Sequence, residues 1–216
     1  DLTALPSGGT TGPDRWSVES YVDLGGEGVL FRPEWAVRSV LGDRPFLFAA
    51  QPPLVDTIAD ATVRILAGWW TGEYESYPYS FRVRSGVRDT SLPIDIGDFL
   101  GVPAPVDPPY GGVITCHRLE WTPAAGAVAS FHVVTLETLD AIPVWRMVVN
   151  GQTNTVTLPD LHGLPGLSST EPRDFLYFTV SSVHVPSLDF DTWTYRHLRS
   201  RYWDAGANDT FLARFP

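Results

Sequence analysis

Apolar and polar side chains alternate in short runs separated by Gly and Pro, the period-two pattern of half-buried strands. Trp16-Ser17-Val18-Glu19-Ser20-Tyr21-Val22 puts Trp16 and Val18 on one face, and Gly25-Gly26-Glu27-Gly28 then turns the chain into Val29-Leu30-Phe31. Residues 34–41 read equally as a short helical turn or an irregular strand. Phe46 to Ala50 is an apolar strand stopped by Pro52-Pro53, which cannot donate to a ladder. Strands follow over Ala61–Ala67 and Tyr79–Arg84. Between them Trp69 and Trp70, if extended, point to opposite faces, one into a core and the other to the surface or an interface.

The second half has a steadier rhythm. Ile114, Cys116, Leu119 and Trp121 flank a strand ending at Thr122-Pro123, and Val128–Leu136 and Val144–Val149 are the next two. Asn150-Gly151 is a hairpin dipeptide from which Asn154–Leu158 returns. Phe175–Val183 is a further strand, and Trp193–Tyr195 and Phe211–Phe215 compete for the last. Strand signals spaced by about 8–12 residues mark a sandwich.

The composition shifts from Leu92 to a Pro- and Gly-rich stretch, and Pro105 to Gly112 is the best boundary, because prolines stiffen a linker and glycines release it. The expected fold is all-β, with a tether over 1–15, a β-sandwich domain over 16–104, a linker over 105–111 and a second β-sandwich over 112–216.

Composition agrees with an all-β class. Of 216 residues 44% are hydrophobic and 19% charged, enough to fill a core, and 19 Gly with 19 Pro favour turns over long helices. The formal net charge is -10, and all 15 basic residues are arginine. A polyanion is repelled, which disfavours nucleic acid and anionic membrane surfaces. Without lysine, Schiff-base chemistry and a phosphate-cradling P-loop are excluded. Cys116 is the only cysteine, so no intrachain disulfide and no cysteine-ligated zinc or iron–sulfur site can form, and its Val-Ile-Thr-Cys setting reads as a small buried hydrophobe. No apolar run reaches the roughly 18 residues of a spanning helix. Residues 1–14, rich in Gly, Ser, Thr and Pro, read as the tether left after a signal or lipid-anchor segment is removed, or equally as a frayed terminus. The first alternative places the protein outside the cytoplasm, in the periplasm, at the cell surface or secreted, and peripheral to a membrane only through an upstream anchor.

Leu119-Glu120-Trp121-Thr122-Pro123, Ala129–Val134, Thr155–Leu161 and Tyr177–Val183 resemble, in order and spacing, a fibronectin type III domain. The resemblance covers roughly residues 112–215. It implies that Trp121 fills the core, Leu161 plugs a turn and Tyr177 makes the corner hydrogen bond, and it implies binding or spacing rather than catalysis. Residues 162–172 and 189–208 are longer than the family's usual connections, and additions a scaffold does not need often carry function. Residues 16–104 match no familiar pattern.

Nucleophile-elbow, HExxH, P-loop, dinucleotide and calcium-loop motifs are absent. The histidines at 117, 132, 162, 184 and 197 lack the close spacing of metal ligands, and His117 and His132, which could meet across strands, read better as structural. Asp189/Asp191 and Asp95/Asp98 pair carboxylates in loops, as a hard cation or simple loop capping would use them. Aromatics concentrate twice: Trp69, Trp70, Tyr74, Tyr77 and Tyr79, and then Trp193, Tyr195, Tyr202 and Trp203 interleaved with Arg196, Arg199 and Arg201. Exposed rings stack on sugars or anchor protein interfaces. The candidate binding residues are therefore Trp69, Trp70, Tyr74, Tyr77, Trp193, Tyr195, Arg199, Tyr202 and Trp203, with no catalytic or metal-ligating residue and no cofactor nominated. The expected function is non-catalytic binding or scaffolding, through a protein partner or self-assembly. The alternatives are a carbohydrate-binding module using the Trp69–Tyr79 aromatics, and a hydrolase with paired carboxylates at the domain seam.

Overall fold

The run that opens at Trp16 forms strand β1 (Arg15–Asp23), and of the residues that read equally as helix or strand, 34–39 belong to β2 (Val29–Ser39). β3 (Thr62–Trp70), β4 (Tyr79–Val87), β5 (Pro105–Asp107), β6 (Gly112–Val113), β7 (Arg118–Trp121) and β8 (Phe131–Thr138) follow. β9 (Pro143–Asn150), β10 (Thr155–Thr157), β11 (Phe175–His184) and β12 (Ala205–Arg214) complete the order. These come from a computed structural model that describes residues 15–25, 28–39, 60–71, 78–122, 128–140, 143–159 and 175–214. The expected tether over 1–14, the strand at Phe46–Ala50, the candidates Tyr74 and Tyr77 and the turn plug Leu161 lie outside the described residues. Among those described the class is all-β with short 3-10 turns, and no helix is long and apolar enough to cross a membrane.

The main sheet has nine strands in the order β2-β1-β3-β4-β12-β11-β8-β9, with β6 parallel beside the end of β12. A second sheet, β10-β7-β5, has three. Register assigns the faces, because directly paired residues share a side. Trp16 pairs with Trp69, Trp69 with Ser80 and Ser80 with Ala207. Ala207 then pairs with Ser182, Ser182 with His132 and His132 with Val149. This row and its period-two neighbours form one inner face from β1 to β9. The three-stranded sheet covers its β12-β11-β8-β9 half, burying Leu119, Trp121 and Val156 against Val134, Leu136, Phe178, Val180 and Phe211. The other half is covered by an irregular segment: Phe99 meets Trp16 edge-to-face at 5.6 Å, while Ile94, Ile96 and Val102 pack around Val63, Ile65 and Trp69. The Ser80 hydroxyl donates to the Leu100 carbonyl at 2.7 Å and anchors that segment.

Several expectations change. Residues 105–111 include β5, which pairs with β7, and strands from before and after this stretch share the main sheet through β4 and β12. Trp69 and Trp70 do point to opposite faces but are 1% and 3% exposed, since β3 sits between β1 and β4 with both of its faces covered. Asn150-Gly151 does not close a hairpin, because β9 pairs with β8 while β10 pairs with β7, so the turn carries the chain between sheets. Glycine is required there by close approach, a Cβ on Gly151 falling 1.9 Å from the Ala129 carbonyl oxygen. Cys116 is exposed rather than buried: with His117 it forms the tip of a turn closed by Arg118 N–H to the Thr115 carbonyl at 3.1 Å, both tip residues having positive φ, 52° and 57°. That left-handed tip turns the thiol away from the core.

Candidate interaction surface

The long connection between β11 and β12 crosses the outer face of the main sheet. Trp193–Tyr195, which competes in sequence for the last strand, lies within this connection and outside any strand, and the connection supplies its own caps. The Asp189 carboxylate accepts from the Asp191 N–H at 3.1 Å and opens a 3-10 turn at Phe190–Thr192. Further 3-10 turns follow at Tyr195–Leu198 and Ser200–Tyr202. His197, buried, accepts the Thr194 N–H on Nδ1 at 3.0 Å, which leaves the ring proton on Nε2.

Inward-facing side chains pin this strap at both ends. Trp193 packs edge-on to Phe131 at 6.3 Å, within a cluster that holds Val133, Val183, Leu188, Phe190 and Leu198. Trp203 stacks on Phe81 of β4, and its indole N–H donates to the His197 carbonyl at 2.6 Å. From β3, the Arg64 guanidinium donates to the Ser200 and Trp203 carbonyls at 3.3 and 3.2 Å. Backbone bonds from Val83 to Asp204 and from Asp204 to His184, at 2.7 and 3.0 Å, close the far end. The strap thereby links β8 and β11 to β3 and β4.

Its outward face is aromatic and basic. Tyr195 is 82% exposed and meets Trp193 edge-to-face, at 5.4 Å between centroids. Arg201 lies over the Tyr202 ring at 4.8 Å and donates to its hydroxyl at 2.8 Å, holding both in place. Arg196 and Arg199 are also exposed. From Thr192 to Trp203 there are three arginines and no acid, in a chain of net charge -10. Of the sequence candidates, Tyr195, Arg199 and Tyr202 are therefore each exposed along the strap, while Trp193 and Trp203 are half-buried anchors. Trp69 and Trp70 are core residues with indole nitrogens buried and unpartnered, so neither ring offers a face to a ligand. Sequence reasoning missed Arg64 and Phe81, whose strand positions give no sign of what lies above them.

Beside the strap's start an open cleft of about 370 Å³ is lined by Ser130, Asn150, Gln152, His184, Asp189 and Asp191, among others. The His184 Nδ1–H donates to the Val128 carbonyl at 3.0 Å, and Asp189 is engaged as a cap. No group of three metal-ligating side chains occurs among the described residues.

One pair has the form of an activated nucleophile. The Ser182 hydroxyl lies 2.9 Å from His132 Nδ1, and His132 Nε2 lies 3.0 Å from the Gly151 carbonyl. A carbonyl only accepts, so Nε2 carries the proton and Nδ1 accepts from Ser182. Burial lowers the His132 pKa and keeps the ring neutral. Yet Ser182 is fully buried and His132 3% exposed, so no substrate reaches the hydroxyl, and the pair serves to tie β8 and β11 to the turn after β9. On the inner face Asp209, between Ala207 and Phe211 in β12, has its pKa pushed up to about 6 by burial. Its carboxylate accepts the Thr210 N–H at 2.8 Å. No family model, curated protein or solved structure matches this chain.

Proposed function

We propose that this protein is a non-catalytic binding or scaffold protein that uses the outward face of its strap to hold an acidic segment of a protein partner. One observation carries the proposal: Tyr195, 82% exposed, is followed within six residues by three exposed arginines, at 196, 199 and 201, on a strap pinned from beneath by Trp203, Phe81 and Arg64. Tyr and Arg dominate interface hot spots, and a surface held in one conformation before binding loses little entropy on contact. Guanidinium groups favour carboxylate partners, and the rest of this acidic molecule repels them, which confines an acidic segment to the strap. The carbohydrate alternative loses Trp69 and Trp70 to the core, and its Tyr74 and Tyr77 lie outside the described residues.

We further read β5 to β12 as a fibronectin type III-like sandwich. The division into a small sheet, β10-β7-β5, facing β12-β11-β8-β9, with Trp121 fully buried between them, supports this. Tyr177, given the corner role by the resemblance, is 37% exposed on the outer face, and residues 160–174 upstream of it lie outside the described residues.

Fluorescence anisotropy with a labelled Glu/Asp-rich peptide tests the binding proposal, with a labelled thymidine oligonucleotide of equal length as comparison. Saturable binding of the peptide that weakens about tenfold or more in Tyr195→Ala is expected, the size of a modest hot spot. Equal binding by Tyr195→Ala, or preference for the oligonucleotide, contradicts it.

A further inference from the structure

Among the described residues the two sheets have four edges, and three of them are defended. β10 and β5 are three residues long, and β5 begins with Pro105 and runs into Pro108. β2, at one end of the main sheet, carries Arg32, Pro33, Glu34 and Arg38. Short strands, charges and proline are the means by which edges avoid pairing with other chains. β9, at the other end, differs. It has eight residues, Pro143 only at its start, and Arg146 as its single charge. Trp145, Met147 and Val149 lie on its inner side and Val148 on its outer side, all only partly buried. Among the described residues nothing pairs with its outer edge.

We propose that this edge pairs antiparallel with β9 of a second copy, about a two-fold axis through Met147. The choice of occupant and register comes from the strand itself. Continuing the main sheet requires paired residues to share a face, so the sum of paired residue numbers must be even. Pairing about Arg146 would set two guanidinium groups directly opposite each other. Pairing about Met147 sets Trp145 against Val149 on both sides, Met147 against itself, and each Arg146 against Val148. Aromatic against β-branched residues is a favourable cross-strand pair, and no like charges are opposed. β9 also contains no acid, so two copies of net charge -10 would meet along a strip free of carboxylates. The strap lies on the outer face of the sheet, so self-pairing through β9 and partner binding through Tyr195 use different surfaces.

Light scattering behind size exclusion, run over a hundredfold range of concentration on the full chain, should show the 23.8 kDa mass doubling. Hydrogen exchange on the same samples should show residues 143–150 slowing about tenfold or more at high concentration, as newly paired edge amides do. Register is read by disulfide trapping in a Cys116→Ser background. Met147→Cys should cross-link between copies, because directly opposed Cα atoms lie within disulfide reach. Arg146→Cys should not, because its symmetry mate is displaced by two residues to about 7–8 Å. A monomer at every concentration with unchanged exchange in β9 overturns the proposal. So does a dimer protected in a different strand, or one that cross-links through Arg146→Cys instead. The wild-type exchange result decides the matter even if a cysteine variant fails to fold.

Discussion

Trp203 lies nearly parallel over Phe81, ring centroids 6.2 Å apart and planes 19° from each other, so the last turn of the strap is seated on the fourth strand of the main sheet. Beneath Phe81 the chain has Gly206, where a Cβ would come within 2.4 Å of the ring. Glycine at 206 thus sets the depth at which Phe81 sits, and Phe81 in turn sets the seat of Trp203. Gly206→Ala should lift the Phe81 ring and unseat the strap. Trp203→Phe keeps a ring but loses the indole bond to His197, costing about 1 kcal/mol, whereas Trp203→Ala should cost about 2–3 kcal/mol for a half-buried indole. Chemical denaturation reads the stability, and limited proteolysis should find new cleavage between residues 186 and 204 in the alanine variant.

Arg64 couples the strap to β3 through two carbonyls. Arg64→Ala should cost about 1 kcal/mol at this partly exposed site, and its effect should not add to that of Trp203→Ala, since both hold the same turn. A double-mutant cycle by urea unfolding measures the coupling, and strict additivity would show that the two anchors act independently.

Asp209 makes stability depend on pH in a sense opposite to most carboxylates. Its pKa is raised from 3.8 to about 6 by burial, so the protonated form is favoured by folding. That contribution is fully present below 3.8 and is lost as pH rises through about 6. At full strength the shift corresponds to about 3 kcal/mol, and partial solvent access reduces it to about 1–2 kcal/mol. Asp209→Asn should therefore be more stable than the parent by about that amount at pH 7.5, with the difference vanishing near pH 4. Paired unfolding curves across that range check the sign.

Ser182 and His132 lie opposite each other on β11 and β8, both buried. Ser182→Ala leaves His132 Nδ1 without a donor in a dry site and should destabilise by about 1–3 kcal/mol. Binding of an acidic peptide should be unchanged, which separates this structural pair from the strap. The lowered His132 pKa gives stability that is complete above the ordinary histidine value of 6.5 and lost as pH falls through the depressed one.

Strand positions were legible where apolar and polar residues alternate strictly, as at Trp16–Val22 and Tyr79–Arg84, because period two admits no other regular element. The association of those strands was not. Nothing local tells Ala205 and Ala207 to lie beside Arg82 and Ser80, more than a hundred residues away, and that one pairing joins strands from both sides of the proline-rich stretch. Asn150-Gly151 misleads for a similar reason: the dipeptide fixes a turn, but which strand receives the chain depends on the core under Trp121. Among the aromatics, Trp69, Trp70 and Tyr195 look alike in sequence. They separate only when both faces of β3 are covered and the strap turns Tyr195 outward. The row Ala205, Ala207, Asp209, Phe211, Ala213 did carry a readable signal, one acid in an inward-facing set.

The most direct test of the strap as a contact surface is a charge reversal at Arg196, Arg199 and Arg201 together, measured by anisotropy against acidic and basic peptides of equal length. These side chains are exposed and hold no described core contact beyond the Arg201–Tyr202 stack, so the fold should persist. The parent should bind the acidic peptide with strong salt dependence and ignore the basic one, and the triple Arg→Glu variant should reverse that preference. Unchanged binding of the acidic peptide by the folded variant would contradict the strap as the site of recognition.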